Sequence, residues 1–163
     1  MVAKGQRKVR SDAKKDVKST LSIELKDAIY RLAFLTNTPV MHVAELLFVH
    51  SIQNAEIIDR VATQFQREVL LNGKLYRGTL SNPSVSKQKH DGQTDRIHFR
   101  LTRESYEILA VFAYALACSH SKACAVLLEE CIHESDFISN YVEQHLEDNL
   151  SKDYMNELRE FMR

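Results

Sequence analysis

The clearest strand pattern in the chain is the stretch RIHFRL at residues 96–101. Polar and apolar residues alternate along it, which is typical of a β-strand with one buried face. The residues of its apolar face are Ile97, Phe99 and Leu101. The residues of its polar face are Arg96, His98 and Arg100. The stretch therefore predicts a short strand that covers a core on one side only.

The residues that follow predict three helices. Thr102 can cap the first, because its hydroxyl can accept from a backbone N–H in the first turn. That helix has apolar residues at spacings of three and four: Tyr106, Leu109, Phe112, Ala113 and Leu116. Ser119 offers a cap for the second helix, whose inner face is marked by Cys124, Leu127, Leu128 and Cys131. A third helix is expected to begin near Asp136.

An internal repeat places the same elements earlier in the chain. Residues 43–52 (VAELLFVHSI) align with 124–133 (CAVLLEECIH) at an offset of 81, with Ala44 on Ala125 and Leu46 on Leu127. The same offset matches two stripes of apolar residues spaced by four: Ile57, Val61, Phe65 and Val69 with Ile138, Val142, Leu146 and Leu150. Upstream of these segments the offset is 80. The chain is thus interpreted as two copies of one strand–helix–helix unit, each followed by an added helix.

The strand of the first copy has two candidate positions, Val17–Leu21 and Leu21–Leu25. The first keeps the repeat offset and leaves room for a helix of about 14 residues that ends near Thr36, as the second copy requires. Even-numbered residues point outward in both. Within Val17–Leu21, Ser19 would occupy an inward position where an apolar residue is expected. Thr38-Pro39 predicts the start of the second helix, with a hydroxyl cap and proline at the first helical position.

Composition and charge add boundaries and exclusions. Residues 1–15 are expected to form a basic arm, 16–71 the first copy with its added helix, 72–95 a linker, 96–151 the second copy, and 152–163 an acidic amphipathic tail. Residues 1–18 hold seven Lys or Arg against two Asp, and residues 129–163 hold ten acidic residues against three basic ones, although the net charge is zero. Few glycines (four) and prolines (two) favour helix. The absence of a long apolar run or a signal peptide, with three cysteines, indicates a cytoplasmic protein with no membrane span.

No catalytic motif is present in the sequence, so an enzyme is not expected and no cofactor is implied. Histidines and cysteines do cluster between residues 118 and 133. Cys124 and Cys131 lie seven residues apart on an apolar helix face, however, whereas structural zinc sites pair ligands two to four residues apart. Buried thiols are the favoured interpretation, and no metal site is expected.

A short strand followed by two capped helices resembles the ribbon-helix-helix family of DNA-binding proteins. The resemblance covers about residues 16–54 and 94–134, and it is carried by Leu101-Thr102-Arg103-Glu104-Ser105 and by Ser119-His120-Ser121-Lys122-Ala123. Family members are usually homodimers whose two strands pair antiparallel. The resemblance implies a mainly α fold with a short two-stranded antiparallel ribbon, formed as a tandem pseudo-dimer in one chain. The extra helix after each copy, which the repeat predicts, is an addition to the minimal family fold.

The resemblance also implies which residues meet DNA. A two-stranded ribbon fits the major groove, so its outward side chains would contact bases: Lys18, Thr20, Arg96, His98 and Arg100. Asp16 lies on the same face and should repel phosphate. The N-termini of the second helices would contact phosphates through Pro39, Val40, His120, Ser121 and Lys122, and the basic arm through Arg7, Lys8, Arg10, Lys14 and Lys15. Because the second strand is the more cationic, one half of the DNA site is expected to lie under it.

Three functions remain open at this stage. The first is a sequence-specific double-stranded DNA-binding protein that regulates transcription. The second keeps the fold but makes it an accessory protein of plasmid maintenance or of conjugative DNA transfer at a relaxosome. The third is a helical protein-interaction module. The third helices and the acidic tail are expected either to provide a site of self-association on DNA or of a protein partner, or simply to thicken the core.

Overall fold

The computed structural model describes residues 13–149 and 159–162 of the 163-residue chain. It is mainly helical, with two small two-stranded sheets. The elements in chain order are β1 (Lys15–Ser22), α1 (Ile23–Thr36), α2 (Val40–Gln53), α3 (Ala55–Ala62), β2 (Val69–Leu71), β3 (Lys74–Tyr76), a 3₁₀ turn (Val85–Lys87), β4 (Thr94–Leu101), α4 (Arg103–Leu116), α5 (His120–Ile132) and α6 (Ser135–Asn149).

Strands β1 and β4 pair antiparallel, although more than 70 residues separate them in the chain, and Lys15 lies opposite Leu101. Their inward residues are buried: Val17, Ser19, Leu21, Ile97, Phe99 and Leu101. The position Val17–Leu21 for the first strand is confirmed within the longer β1. The alternative position, Leu21–Leu25, is wrong, because Ser22 caps a helix that already contains Leu25.

The first helices of the two copies, α1 and α4, begin and end at corresponding residues 80 positions apart, and they have the same kinds of cap. Ser22 accepts from the N–H of Leu25, and Thr102 accepts from the N–H of Ser105. Both helices are 14 residues long and end in the left-handed conformation, with φ of 49° at Asn37 and 51° at Ala117. Such a residue turns the chain sharply after a helix. The following helix axis differs in direction by 110° in the first copy and 97° in the second.

The second helices begin in different ways. Ser119 is the predicted N-cap of α5, and its hydroxyl accepts from the N–H of Lys122. The expected hydroxyl cap of α2 is wrong. Pro39 is itself the N-cap and offers no side-chain acceptor, while the Thr38 hydroxyl donates to the carbonyl of Thr36 in the preceding turn. The N–H groups of the first turn of α2 therefore have no side-chain cap.

One offset of 80 relates the two copies throughout, including the region where 81 was expected. Helices α2 and α5 begin 80 residues apart, as do α3 and α6. The buried positions of α2 recur at this spacing in α5, so that Ala44 matches Cys124 and Leu47 matches Leu127. The offset of 81 aligns identical residue types, whereas the positions that pack against the core follow the offset of 80.

The helix expected to extend from Ile57 to Val69 is shorter than predicted, because α3 ends at Ala62. Phe65 is instead buried in a turn, where its ring contacts Phe112 edge-on with centroids 6.0 Å apart. Val69 begins β2. The chain leaves the helix here because the Gln66 and Arg67 N–H groups donate to the carbonyl of Ala115 at the end of α4.

The expected linker, residues 72–95, contains regular structure of its own. Asn72 and Gly73 form the turn between β2 and β3, with φ of 49° and 77°, as a tight hairpin turn requires. Gly78 then passes so close to the main chain that a Cβ there would lie 2.3 Å from the Arg67 nitrogen. Val85, in the 3₁₀ turn, is fully buried. The linker is thus anchored to the helical core before it enters β4.

Candidate nucleic-acid interface

The outer face of the β1–β4 sheet gathers the residues predicted to contact bases. Lys18 lies opposite His98, Thr20 lies opposite Arg96, and Asp16 lies opposite Arg100. Apart from Thr20, which is half-buried, these side chains are exposed. The sheet is only two strands wide, about 5 Å between strands, so all six side chains project from a narrow ridge. The register therefore brings together every residue predicted for base contact.

The centre of the ridge is the pair Lys18 and His98, which are also 80 residues apart. Exchanging each residue for its counterpart 80 positions away reproduces the register, since Thr20 and Arg96 exchange with Arg100 and Asp16. The two strands are therefore related by an internal two-fold axis that passes beside Lys18 and His98. A surface with this symmetry matches the local two-fold symmetry of duplex DNA.

The register corrects the expected division of a DNA site between the two strands. Because the strands are antiparallel, each end of the ridge carries one residue from each: Thr20 with Arg96 at one end, Asp16 with Arg100 at the other. The long cations of β4 are thus distributed over both ends. At about 3.4 Å per residue, the two arginines lie roughly 14 Å apart. That spacing corresponds to about four base pairs of B-DNA.

Asp16 does not stand alone on this face. Its Oδ1 accepts from Arg100 Nε at 3.0 Å and lies 3.3 Å from His98 Nε2. The carboxylate therefore holds two of the predicted base-contacting side chains. No corresponding carboxylate lies opposite Arg96, whose cross-strand neighbour is Thr20. The two ends of the ridge consequently differ in free positive charge, a difference that depends on cross-strand contacts and that the sequence pattern did not reveal.

Ser19, the polar residue in an inward position, joins the sheet to the start of α5. Its side chain is fully buried and its hydroxyl donates to the carbonyl of Ser121 at 2.8 Å. The Ser121 hydroxyl in turn accepts from the N–H of Thr20. These bonds place the N-terminal turn of α5 beside the ridge. They use one acceptor position of the Ser121 hydroxyl and leave its O–H able to donate, so they do not exclude the predicted phosphate contact at the start of α5.

The other residues predicted to contact phosphate at the start of α5 are His120 and Lys122, and Lys15 of the predicted basic arm lies near them. His120 is exposed and its ring stacks on Tyr106, with centroids 5.4 Å apart. Lys15 approaches the same Tyr106 ring, with its Nζ 5.9 Å from the centroid. Lys122 Nζ donates to the carbonyl of Gln88 in the linker. All three side chains are positioned by contacts within the protein, yet each keeps part of its surface in solvent.

On the opposite side, Pro39 is exposed and Val40 is half-buried at the start of α2. Lys14, just before β1, donates to both carboxylate oxygens of Glu45 on α2, at 2.7 and 2.9 Å. Lys14 is therefore an ion-paired residue, and contact with phosphate would compete with that pair. Arg7, Lys8 and Arg10 of the predicted basic arm lie outside the residues that the structure describes.

The cysteines have no arrangement suited to catalysis or metal binding in the described part of the chain. Cys124 and Cys131 are buried on the inner face of α5, and Cys118 is half-buried. Burial raises the pKa of Cys124 to about 12 and that of both Cys118 and Cys131 to about 11. Thiols with such pKa values carry little thiolate at neutral pH. Across residues 13–149 and 159–162, no group of three or more His, Cys, Asp or Glu could hold a metal ion.

Both added helices pack apolar residues against the core. Ile57, Ile58 and Val61 of α3 are buried, as are Tyr141 and Val142 of α6. Leu146 and Leu150, the other apolar residues predicted in the third helix, are not among the side chains that the structure describes. Exposed apolar residues occur elsewhere, on α1 and in the described tail segment: Tyr30, Phe34, Phe161 and Met162.

No single helix among the described residues is long and apolar enough to cross a membrane. Two pairs of helices joined by a sharp bend, α1 with α2 and α4 with α5, have the length and composition of a span only when each pair is counted together. Comparison of the chain with protein-family models, with curated proteins and with solved structures finds no match.

Proposed function

We propose that this chain is a sequence-specific double-stranded DNA-binding protein, in which the β1–β4 sheet enters the major groove as the ribbon of a single-chain ribbon-helix-helix pseudo-dimer. The observation that carries the proposal is the ridge: a two-stranded sheet with an apolar inner face and an outer face of Lys18, Arg96, His98 and Arg100. A two-stranded ribbon is narrow enough for the major groove, which is about 12 Å wide.

The chemistry of the ridge suits the reading of base edges. Arginine can donate two hydrogen bonds to guanine, and threonine can donate, accept or contact a thymine methyl group. Helices α2 and α5 flank the sheet, since α2 contacts β4 and α5 contacts β1, and the first turn of α5 reaches β1 through Ser121. Helix N-termini favour phosphate through their free N–H groups and dipole. Base contact in the centre and phosphate contact on both sides would together orient the protein on a duplex.

The site preferred by one molecule should be asymmetric. Equivalent positions of the two strands carry different residues, Thr20 against Arg100 and Asp16 against Arg96. We expect guanine contacts under both arginines, about four base pairs apart. The contact of Arg96 would be the more readily made, because Arg100 is held by Asp16. Regulation of transcription is the role we assign to such binding.

Selection of binding sites from random duplex DNA tests the proposal directly. The selected duplex is then titrated with the wild-type chain, with Arg96→Ala and with Arg100→Ala. Each variant should bind about 10- to 100-fold more weakly and lose preference at different base pairs, because a good bidentate contact contributes about 1–3 kcal/mol. Arg103→Ala, which removes an exposed arginine of α4 that pairs with Glu107 in the next turn, is the matched control.

Failure of the selection to enrich any sequence would overturn the proposal. So would equal losses in all three variants, since these would indicate an effect of net charge alone. Recovery of a perfect inverted repeat, with Arg100→Ala affecting both halves equally, would contradict the assignment of the two strands. Circular dichroism of each variant should match that of the wild-type chain, because the three arginines are exposed.

A further inference from the structure

The second half of the linker lies against the helix that flanks one end of the ridge. Val85 is fully buried and anchors the 3₁₀ turn. Beyond it, Lys122 Nζ of α5 donates to the carbonyl of Gln88 at 3.2 Å. The segment then reaches β4. Just before that strand begins, the Gln93 carbonyl accepts from the N–H of Ile23. Residues 87–93 therefore follow a fixed route from the side of α5 to the Thr20–Arg96 end of the ridge.

This segment presents two lysines and a histidine to solvent. Lys87, Lys89 and His90 are all exposed. Neither lysine forms an ion pair with any described residue. Lys122 and Glu129 of α5 line the same cleft as Lys89, and Asp91 follows His90 in the chain. Even with both carboxylates counted, the three lysines leave the segment with a net positive charge.

The internal repeat gives this segment a counterpart. At the offset of 80, Lys87 matches Arg7 and His90 matches Arg10, so the end of the linker corresponds to the basic leader before β1. The equivalent helix face lines a cleft in both copies. In the second copy the segment packs against Lys122, Ala125, Val126 and Glu129 of α5. In the first, the equivalent positions His42, Glu45, Leu46 and Val49 of α2 line a groove of about 510 Å³ that Lys14 borders.

We infer that Lys87, Lys89 and His90 form a second phosphate-contacting arm, which binds the backbone of duplex DNA beyond the Thr20–Arg96 end of the ridge. This inference rests on the proposed function. His90 lies four residues before Thr94, so at most about 14 Å of chain separates it from the sheet. Its contacts would fall within about four base pairs of the groove segment under the ridge. Phosphate contacts carry no sequence information, so this arm adds affinity and fixes orientation.

The test compares the full chain with a double variant, Lys87→Ala with Lys89→Ala. A matched control, Lys74→Ala with Arg77→Ala, removes two cations from the other half of the same linker. Binding to the selected duplex and to an unrelated duplex is measured by fluorescence anisotropy over a range of salt concentrations. We expect the salt slope of the first variant to fall by about 1.8 on both duplexes, because each lost phosphate contact removes about 0.9. That change corresponds to up to roughly 60-fold weaker binding at 0.1 M salt.

Hydroxyl-radical footprinting locates the contacts. The double variant should lose protection only beyond the end of the site that lies under Thr20 and Arg96. An unchanged slope and footprint, in a variant series whose wild-type chain binds DNA, would overturn the second arm alone. An equal loss in the matched control would overturn it as well, since the effect would then follow net charge and not position. A wild-type chain that binds no duplex would instead overturn the proposed function.

Discussion

Replacing Asp16 with asparagine should strengthen binding to DNA. In the free protein the Asp16 carboxylate accepts from Arg100 Nε at 3.0 Å and lies 3.3 Å from His98 Nε2. Exposed ion pairs of this kind contribute about 0–1 kcal/mol, and the side chains of Asp16 and Arg100 are 58% and 59% exposed. The fold should therefore remain stable in Asp16→Asn, to within about 1 kcal/mol. Asparagine keeps the size of the side chain but removes the charge.

The gain in affinity has two sources. Arg100 no longer has to leave a carboxylate, which is worth up to about 1 kcal/mol, or roughly fivefold in the dissociation constant. One fewer negative charge then lies beside the phosphates, so the salt slope should become steeper by about 0.9. At 0.1 M salt the slope change is worth roughly eightfold and the ion pair up to about fivefold, so we expect Asp16→Asn to bind an unrelated duplex about 8- to 40-fold more tightly than the wild-type chain.

Fluorescence anisotropy with a labelled, unrelated duplex measures this gain. Asp59→Asn is the matched control, because it also breaks an exposed Asp–cation pair, with Lys74 at 3.0 Å, on a helix away from the ridge. The control should leave the affinity for DNA unchanged. Weaker binding by Asp16→Asn, or an equal gain in the control, would refute the argument that Asp16 restrains the ridge.

The remaining predictions concern the fold. The midpoint of unfolding should not vary over a hundredfold range of protein concentration, because β1 and β4 pair within one chain; a clear dependence would indicate strands exchanged between chains. Ala117→Gly should raise the free energy of unfolding by about 1 kcal/mol in urea titrations, since Ala117 has φ of 51°, and a decrease would contradict this. Burial lowers the pKa of His50 below 6.5, while Glu134 opposes the shift. Because the unfolded chain then binds the proton more readily, stability should fall as pH drops through 6.5, and a His50→Phe variant should show a smaller fall between pH 7.5 and 5.

Much of the fold could be predicted because local signals agree with one another. The alternation in residues 96–101, the hydroxyl cap at Thr102 and the apolar spacing of the next helix all specify one local structure. The structure confirms each of them, and the cap of α5 at Ser119 as well. The second copy was the clearer of the two, because its strand lacks an inward polar residue such as Ser19.

The features that could not be predicted depend on contacts between distant residues. The end of α3 at Ala62 follows from hydrogen bonds to Ala115, which is more than 50 residues away. A pattern of apolar residues spaced by four cannot reveal that acceptor. The one-residue error in the repeat offset has a similar origin. The sequence alignment matches identical residue types, whereas the correct offset depends on which residues are buried, and only the packing of the helices shows that.

The pairing of Asp16 with Arg100 is the clearest case, because the two residues are 84 positions apart and meet only in one register. This pair also shows how the two ends of the ridge have come to differ. A homodimeric ribbon would repeat such a pair at both ends, but here the counterpart of Arg100 is Thr20, opposite Arg96. One end of the ridge therefore has its arginine held by a carboxylate. At the other end, Arg96 forms no ion pair with any residue that the structure describes, and the basic end of the linker lies nearby. In the proposed complex these ends would differ in free energy beside the phosphates, so the divergence of a few outward side chains would favour one orientation on DNA.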